Sequence, residues 1–121
     1  MYLHFHDELE AASPYEGLVR MITMDRPLGS GAITQGMVTV ARGAVIRPHT
    51  HLVEESITML EGDARILVGD ELVEVRGRRC TFLAPANTVH GMRNIGASDL
   101  LLCIAYPSVG VTLNFVEGVE I

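Results

Sequence analysis

Gly43-Ala44-Val45-Ile46-Arg47-Pro48-His49-Thr50-His51-Leu52-Val53-Glu54-Glu55-Ser56-Ile57-Thr58-Met59-Leu60-Glu61-Gly62 runs from one turn-forming glycine to another, with strand-like pieces on either side of a polar centre. Read as one extended strand, residues 49, 51, 53 and 55 share a parity, so both imidazoles and the Glu55 carboxylate project from one face. Glu54 points the other way and would replace Glu55 only if a bulge reversed the parity. A third imidazole, His90, follows Pro85-Ala86-Asn87-Thr88-Val89 near the start of another strand-like run. Three neutral imidazoles and one carboxylate gathered inside a β fold form a nitrogen and oxygen site for one divalent transition metal: Fe, Mn, Ni, Co or Zn. Calcium and magnesium would want mainly oxygen donors, and a copper electron-transfer site would want a cysteine. The bland reading, a pair of alternating histidines on a solvent-facing strand, accounts for His49 and His51 but leaves the spacing to Glu55 unexplained.

Outward from this stretch, 12 glycines and 5 prolines cut the 121 residues into short pieces. Met37 to Arg42 is short and rich in β-formers. Ala64 to Val68, Gly69-Asp70 and Glu71 to Val75 form a hairpin signature, two strand-like runs joined by a pair that tolerates a tight turn. Further runs at Cys80–Ala84, His90–Ile95, Leu100–Tyr106 and Val111–Val116 recur about every ten residues, the cadence of an all-β sandwich or barrel. No long window shows a helical apolar period, which confines helix to a turn or two near Asp7 to Glu16. His4 and His6 share a strand face, and with no third ligand left over they predict an edge strand at Met1 to His6.

All 9 cations are arginine, against 15 acids, for a formal charge of −6. With no lysine there is no Schiff base, no phosphate-loop lysine and no lysine general base. An acidic chain without a basic run is a poor ligand for nucleic acid or anionic membrane, so neither is an expected partner. Charges interrupt every apolar run well short of the ~20 residues that span a bilayer. The polar, acidic amino terminus lacks the pattern of a signal peptide, which gives a cytoplasmic location as the expectation. Cys80 and Cys103 lie in apolar surroundings without redox or zinc spacing and are expected as buried free thiols.

Gly43, His49, His51, Glu55 and Gly62 stand at the spacings of the first signature of the cupin superfamily, which the chain therefore resembles. Pro85, Asn87, His90 and Asn94 resemble the second. Two positions depart from it: Arg79 stands where a glycine is usual, with Gly77 the nearest, and Asn87 stands where a second glycine is usual. Asparagine is the side chain that best tolerates the left-handed conformation such a turn demands. The resemblance covers about residues 36–106 and implies a jelly-roll-like β-barrel within a single cupin domain spanning 1–121. Carried over position by position, it makes His49, His51, Glu55 and His90 the metal ligands, with two coordination positions left open.

An open metal site implies an enzyme of isomerase, lyase or cyclase type, acting on a small oxygenated molecule that chelates the metal, with Glu55 or a metal-bound water as base. An iron dioxygenase using the same ligands is the rival within enzymes, and a non-catalytic small-molecule or metal-binding module is the rival outside them. Met37, Thr39, Ile57, Met59 and Met92 are expected by parity to line the substrate pocket. Tyr106 could supply a hydroxyl, Arg47 or Arg93 could hold a substrate carboxylate, Gln35 could stand at the mouth, and Asn94 is expected to tie down a turn. A homodimer is expected, formed through Met1–His6 and Val111–Val116, with residues 1–15 as a contacting segment.

Overall fold

A computed structural model describes residues 1–121. The glycines, prolines and β-branched runs resolve into eleven strands: β1 (Ala11–Ala12), β2 (Leu18–Met24), β3 (Thr34–Val40), β4 (Val45–Thr50), β5 (Glu55–Glu61), β6 (Ala64–Val68), β7 (Glu71–Val75), β8 (Cys80–Ala84), β9 (His90–Asn94), β10 (Leu100–Tyr106) and β11 (Asn114–Phe115). All pairings are antiparallel. They build a six-stranded sheet in the order β1-β2-β3-β10-β5-β8 and a five-stranded sheet in the order β11-β4-β9-β6-β7. The expected jelly-roll takes the form of a sandwich, two sheets each with its own edges, rather than one sheet closed on itself. Helix is limited to a 3-10 turn at His6–Glu8, and no helix is long and apolar enough to cross a membrane.

Strict alternation fills the interior. On β3 the even positions are buried and the odd ones only half-buried, and β5 and β10 alternate in the same way. Val40, Met59, Ala64, Leu100 and Leu102 are wholly shielded from solvent. Each of the larger ones contributes roughly 1.5–3 kcal/mol by leaving water. Asn94 ties the sheets together at this end: its Nδ2 on β9 donates to the carbonyl of Val40 on β3 at 3.0 Å and to that of Ser98 at 2.8 Å, and its Oδ1 accepts from Gly96 N–H at 2.9 Å. The turn-fixing role expected of Asn94 is thus observed, and with it a link between the sheets.

Several expectations are corrected. Residues 49 to 55 are not one strand, because β4 ends at Thr50 and the chain turns through 51–54 before β5 begins at Glu55 in the other sheet. Met1–His6 forms no strand; His4 Nε2 instead bonds the carbonyl of Leu28 at 2.8 Å, and His6 opens the 3-10 turn. Val111–Val116 shortens to the two residues of β11, which pair with Thr50 and His49. Both cysteines are free but only half-buried; odd parity puts Cys103 on the outer face, opposite Met37. Gly77, the glycine nearest to Arg79, adopts a positive φ of +62°, and its N–H donates to Asp63 Oδ1 at 2.8 Å. Asn87 does adopt the left-handed conformation, at φ +60°, and is the one residue other than glycine to do so.

Candidate metal centre

The proline in Arg47-Pro48 lacks an N–H, and the strand bulges there. Between Ile46 and His49 β4 spends one residue more than β9 does between Met92 and His90. The extra residue reverses the parity. Ile46 and His49 therefore both face the interior, although they are three positions apart. His49 is set opposite His90 on β9. Gly91 permits this approach, since a Cβ at that position would lie 2.6 Å from the carbonyl oxygen of Ile46. His51 stands one residue beyond β4, held by Asn87 N–H donating to its carbonyl at 2.7 Å. Glu55 reaches the same point from the opposite sheet, and Tyr106 from the end of β10.

The side chains of His49, His51, Glu55 and His90 are all buried, and their ligand-type atoms lie within 4.8 Å of one another. Each imidazole commits its Nδ1 to a main-chain carbonyl: His49 to Arg47 at 2.7 Å, His51 to Thr112 at 2.8 Å and His90 to Thr88 at 2.9 Å. A carbonyl only accepts, so each Nδ1 is a donor and each Nε2 is turned inward. His49 and His51 bring their Nε2 atoms to 3.1 Å, His90 Nε2 lies 2.8 Å from Glu55 Oε1, and His51 Nε2 lies 3.5 Å from the same oxygen. Three inward nitrogens and a carboxylate oxygen, oriented from behind by backbone, are what a divalent transition metal requires. The residues fit such an ion.

Burial dominates the electrostatics. It lowers the pKa of His49 to about 4, against the stabilising carbonyl of Arg47. His51 is also disfavoured as a cation by burial, but hydrogen bonding to Glu55 and to the Thr112 carbonyl outweighs this and raises its pKa. Burial would push Glu55 up; hydrogen bonds from His51, His90 and Tyr106 reverse the effect and hold its carboxyl at about 2. The Tyr106 hydroxyl, 3.4 Å from His51 Nε2, is raised by burial and by the Glu55 charge, so it stays protonated.

Of the apolar residues expected at the pocket, Ile57 and Met92 line it. Met59 is buried deeper in the core, away from the cavity. Met37 and Thr39 do not reach it: odd positions of β3 point outward, and Val38 takes the inner place. Glu54 is exposed on the turn. Gln35 also faces outward, 3.8 Å from Cys103 Sγ. Arg93 bonds the carbonyl of Ile121 at 2.6 Å on the outer face of its sheet. Arg47 is stacked between two rings, 4.6 Å from the Tyr15 centroid and 4.1 Å from that of Phe115. The arginine that does line the cavity is Arg20, which the sequence reading missed; its signal, the spacing of two from Leu18, lay on β2, a strand the sequence reading did not identify.

Comparison with known proteins agrees with this architecture. Residues 36–106 match the family described as Cupin domain. No curated protein matches the chain. Among solved structures, the polyketide cyclase RemF from Streptomyces resistomycificus superposes with a TM-score of 0.82 at 18% identity, over 99% of this chain and 88% of that one. An RmlC-like cupin from Shewanella frigidimarina superposes at 0.75 and 17% identity, over 89% and 92% of the two chains. KdgF from Halomonas sp. does so at 0.70 and 22%, over 85% and 90%. At these identities the likeness is one of fold.

Proposed function

The chain belongs to the cupin domain family, and from that premise we propose that it is a metal-dependent enzyme of cyclase, isomerase or lyase type, acting on a small oxygenated organic molecule. One observation carries the reading: three histidines, each with Nδ1 bound to a main-chain carbonyl, gather their ring nitrogens with the Glu55 carboxylate within 4.8 Å of one another inside an apolar cavity. His49, His51, Glu55 and His90 would hold one divalent ion, drawn from Fe, Mn, Ni, Co or Zn. Bound there, such an ion supplies a Lewis acid that polarises an oxygen of the bound molecule.

The chain's own residues supply the rest. Glu55 stays ionised to low pH, which suits it to holding a cation more than to storing a proton. Tyr106 keeps its proton and presents a hydroxyl beside His51, where it can donate to an oxygen that gains negative charge. Val38, Ile57, Leu102 and Ile104 wall the cavity and exclude water, which strengthens every polar contact inside it. The cyclase activity in the name of RemF supports this class of reaction.

Metal analysis of protein purified without a tag, followed by turnover assays against keto acids, enols and polyketide-type phenols, tests the proposal. About one equivalent of transition metal is expected, lost on His49→Ala or His90→Ala, and turnover without oxygen uptake. Substrate-dependent oxygen uptake by the iron-loaded protein would transfer the assignment to a dioxygenase. Retained ligand affinity in Glu55→Gln, with no turnover by any metal form of the parent, would make the chain a binding module. The proposal includes a homodimer, supported by the exposed apolar side chains of Leu3, Phe5, Leu113 and Phe115. Light scattering at the 13.2 kDa mass of one chain would refute it.

A further inference from the structure

β2 carries a cation where the fold favours an apolar residue. Leu18 is buried on the inner face of the six-stranded sheet, and alternation puts Arg20 on that same face. The register agrees: Arg20 stands opposite Val38, itself inward-facing and buried. Arg20 lines the cavity of the metal centre together with His51, Glu55 and Tyr106. It also lines an adjoining cavity, which shares His51, Tyr106 and Leu113 with the first. No other arginine lines either one.

No carboxylate lies within ion-pair distance of this guanidinium, Glu55 of the same cavity included. The arginine ion pairs are Arg65 with Glu74 and Arg76 with Glu74, both elsewhere. Asp25, the one acid of the adjoining cavity, forms no ion pair with Arg20 and accepts instead from Leu28 N–H at 3.1 Å. A half-buried guanidinium facing an apolar wall has lost part of its hydration without gaining an acceptor, a cost that a bound anion offsets. The charges point the same way. With neutral imidazoles, a divalent ion and the Glu55 carboxylate sum to about +1, and Arg20 brings the cavity to about +2.

We propose that Arg20 is a specificity-determining residue that binds a substrate carboxylate, so that the substrate is an amphiphilic organic acid with its apolar body against Val38, Ile57, Leu102 and Ile104. The planar guanidinium fork matches the two oxygens of a carboxylate, and it binds them where the surrounding wall is dry. This deepens the metal-centre reading and rests on it for the placement of the reacting end, although the Arg20 contact itself needs no metal.

The test uses 3-phenylpropionate and its uncharged counterpart 3-phenylpropanamide, titrated by NMR into zinc-loaded and metal-free protein. The parent should bind the carboxylate at least ten-fold more tightly than the amide. Arg20→Gln should weaken the carboxylate ten-fold or more and the amide less than two-fold, and Arg20→Lys should recover part of the preference. Zinc affinity, measured by chelator competition, should stay within two-fold in all three proteins, since Arg20 is not a ligand. An unchanged carboxylate-to-amide ratio in a folded Arg20→Gln, or a parent that binds the carboxylate no better than the amide, would overturn the assignment. Failure to bind zinc, with the Arg20-dependent preference intact in metal-free protein, would remove the proposed enzymatic function and leave the Arg20 contact standing.

Discussion

His90 Nε2 lies 2.8 Å from Glu55 Oε1, a contact between residues 35 positions apart on opposite sheets. Both atoms can face one cation only when neither carries a proton. The raised pKa of His51 places a proton in competition with the ion. Zinc affinity is therefore expected to be at least ten-fold higher at about pH 8 than at about pH 6, with proton release. Calorimetry in buffers of different ionisation enthalpy measures both; equal affinity at the two pH values would count against these ligands.

Acid should unfold the metal-free protein through Glu55. A folded pKa depressed from 4.5 to about 2 contributes stability that is present above 4.5 and lost as pH falls toward 2. The size is on the order of 3 kcal/mol. At higher pH two histidines oppose each other. His49, lowered from 6.5 to about 4, loses stability as pH falls through that window, whereas raised His51 favours the folded state below 6.5 and gives that up as pH rises through its folded pKa. The lower window is thus diagnostic: urea melts of Glu55→Gln should show a flatter dependence between pH 4.5 and 2 than the parent.

Asn87 couples a strained turn to a ligand. It sits at φ +60°, and its N–H holds the carbonyl of His51. Asn87→Gly should leave stability within about 0.5 kcal/mol, and Asn87→Val should cost about 1–3 kcal/mol. If the turn positions His51, zinc affinity falls in the valine variant and holds in the glycine variant, as chelator competition would show.

Asn94→Ala should destabilise by about 2–3 kcal/mol in urea melts, because it orphans the buried carbonyl of Val40 and removes the bonds to Ser98 and Gly96 that fix the turn. Zinc affinity should change little, since the amide is remote from the cavity.

How much of this was legible beforehand depended on whether a residue's role is local. Glycine and proline punctuation, the Gly69-Asp70 hairpin and the left-handed Asn87 are decided within a few residues, and the runs at Ala64–Val68, Glu71–Val75, Cys80–Ala84 and Leu100–Tyr106 fell where they were read, whereas β2 was not read as a strand at all. His49, His51, Glu55 and His90 were correctly grouped, but by the wrong geometry. A single strand was expected to align the first three, with His90 on another; instead a bulge at Arg47-Pro48 and a crossing between sheets bring the four together. Met37 and Thr39 failed for a related reason, since parity says which residues share a face and not which face is inside. Arg20 was invisible because its meaning lies in the missing partner, and only the folded chain shows that no acid pairs with it.

The acceptors that orient the three imidazoles are the carbonyls of Arg47, Thr88 and Thr112, and every amino acid brings a carbonyl. Side chains at 47, 88 and 112 can be exchanged without withdrawing the support, provided the backbone path survives. The ligand cradle is in this sense inherited as a shape, while the cavity wall around it is free to drift toward other molecules. A fold arranged this way can change its substrate by a handful of wall substitutions and never rebuild its centre.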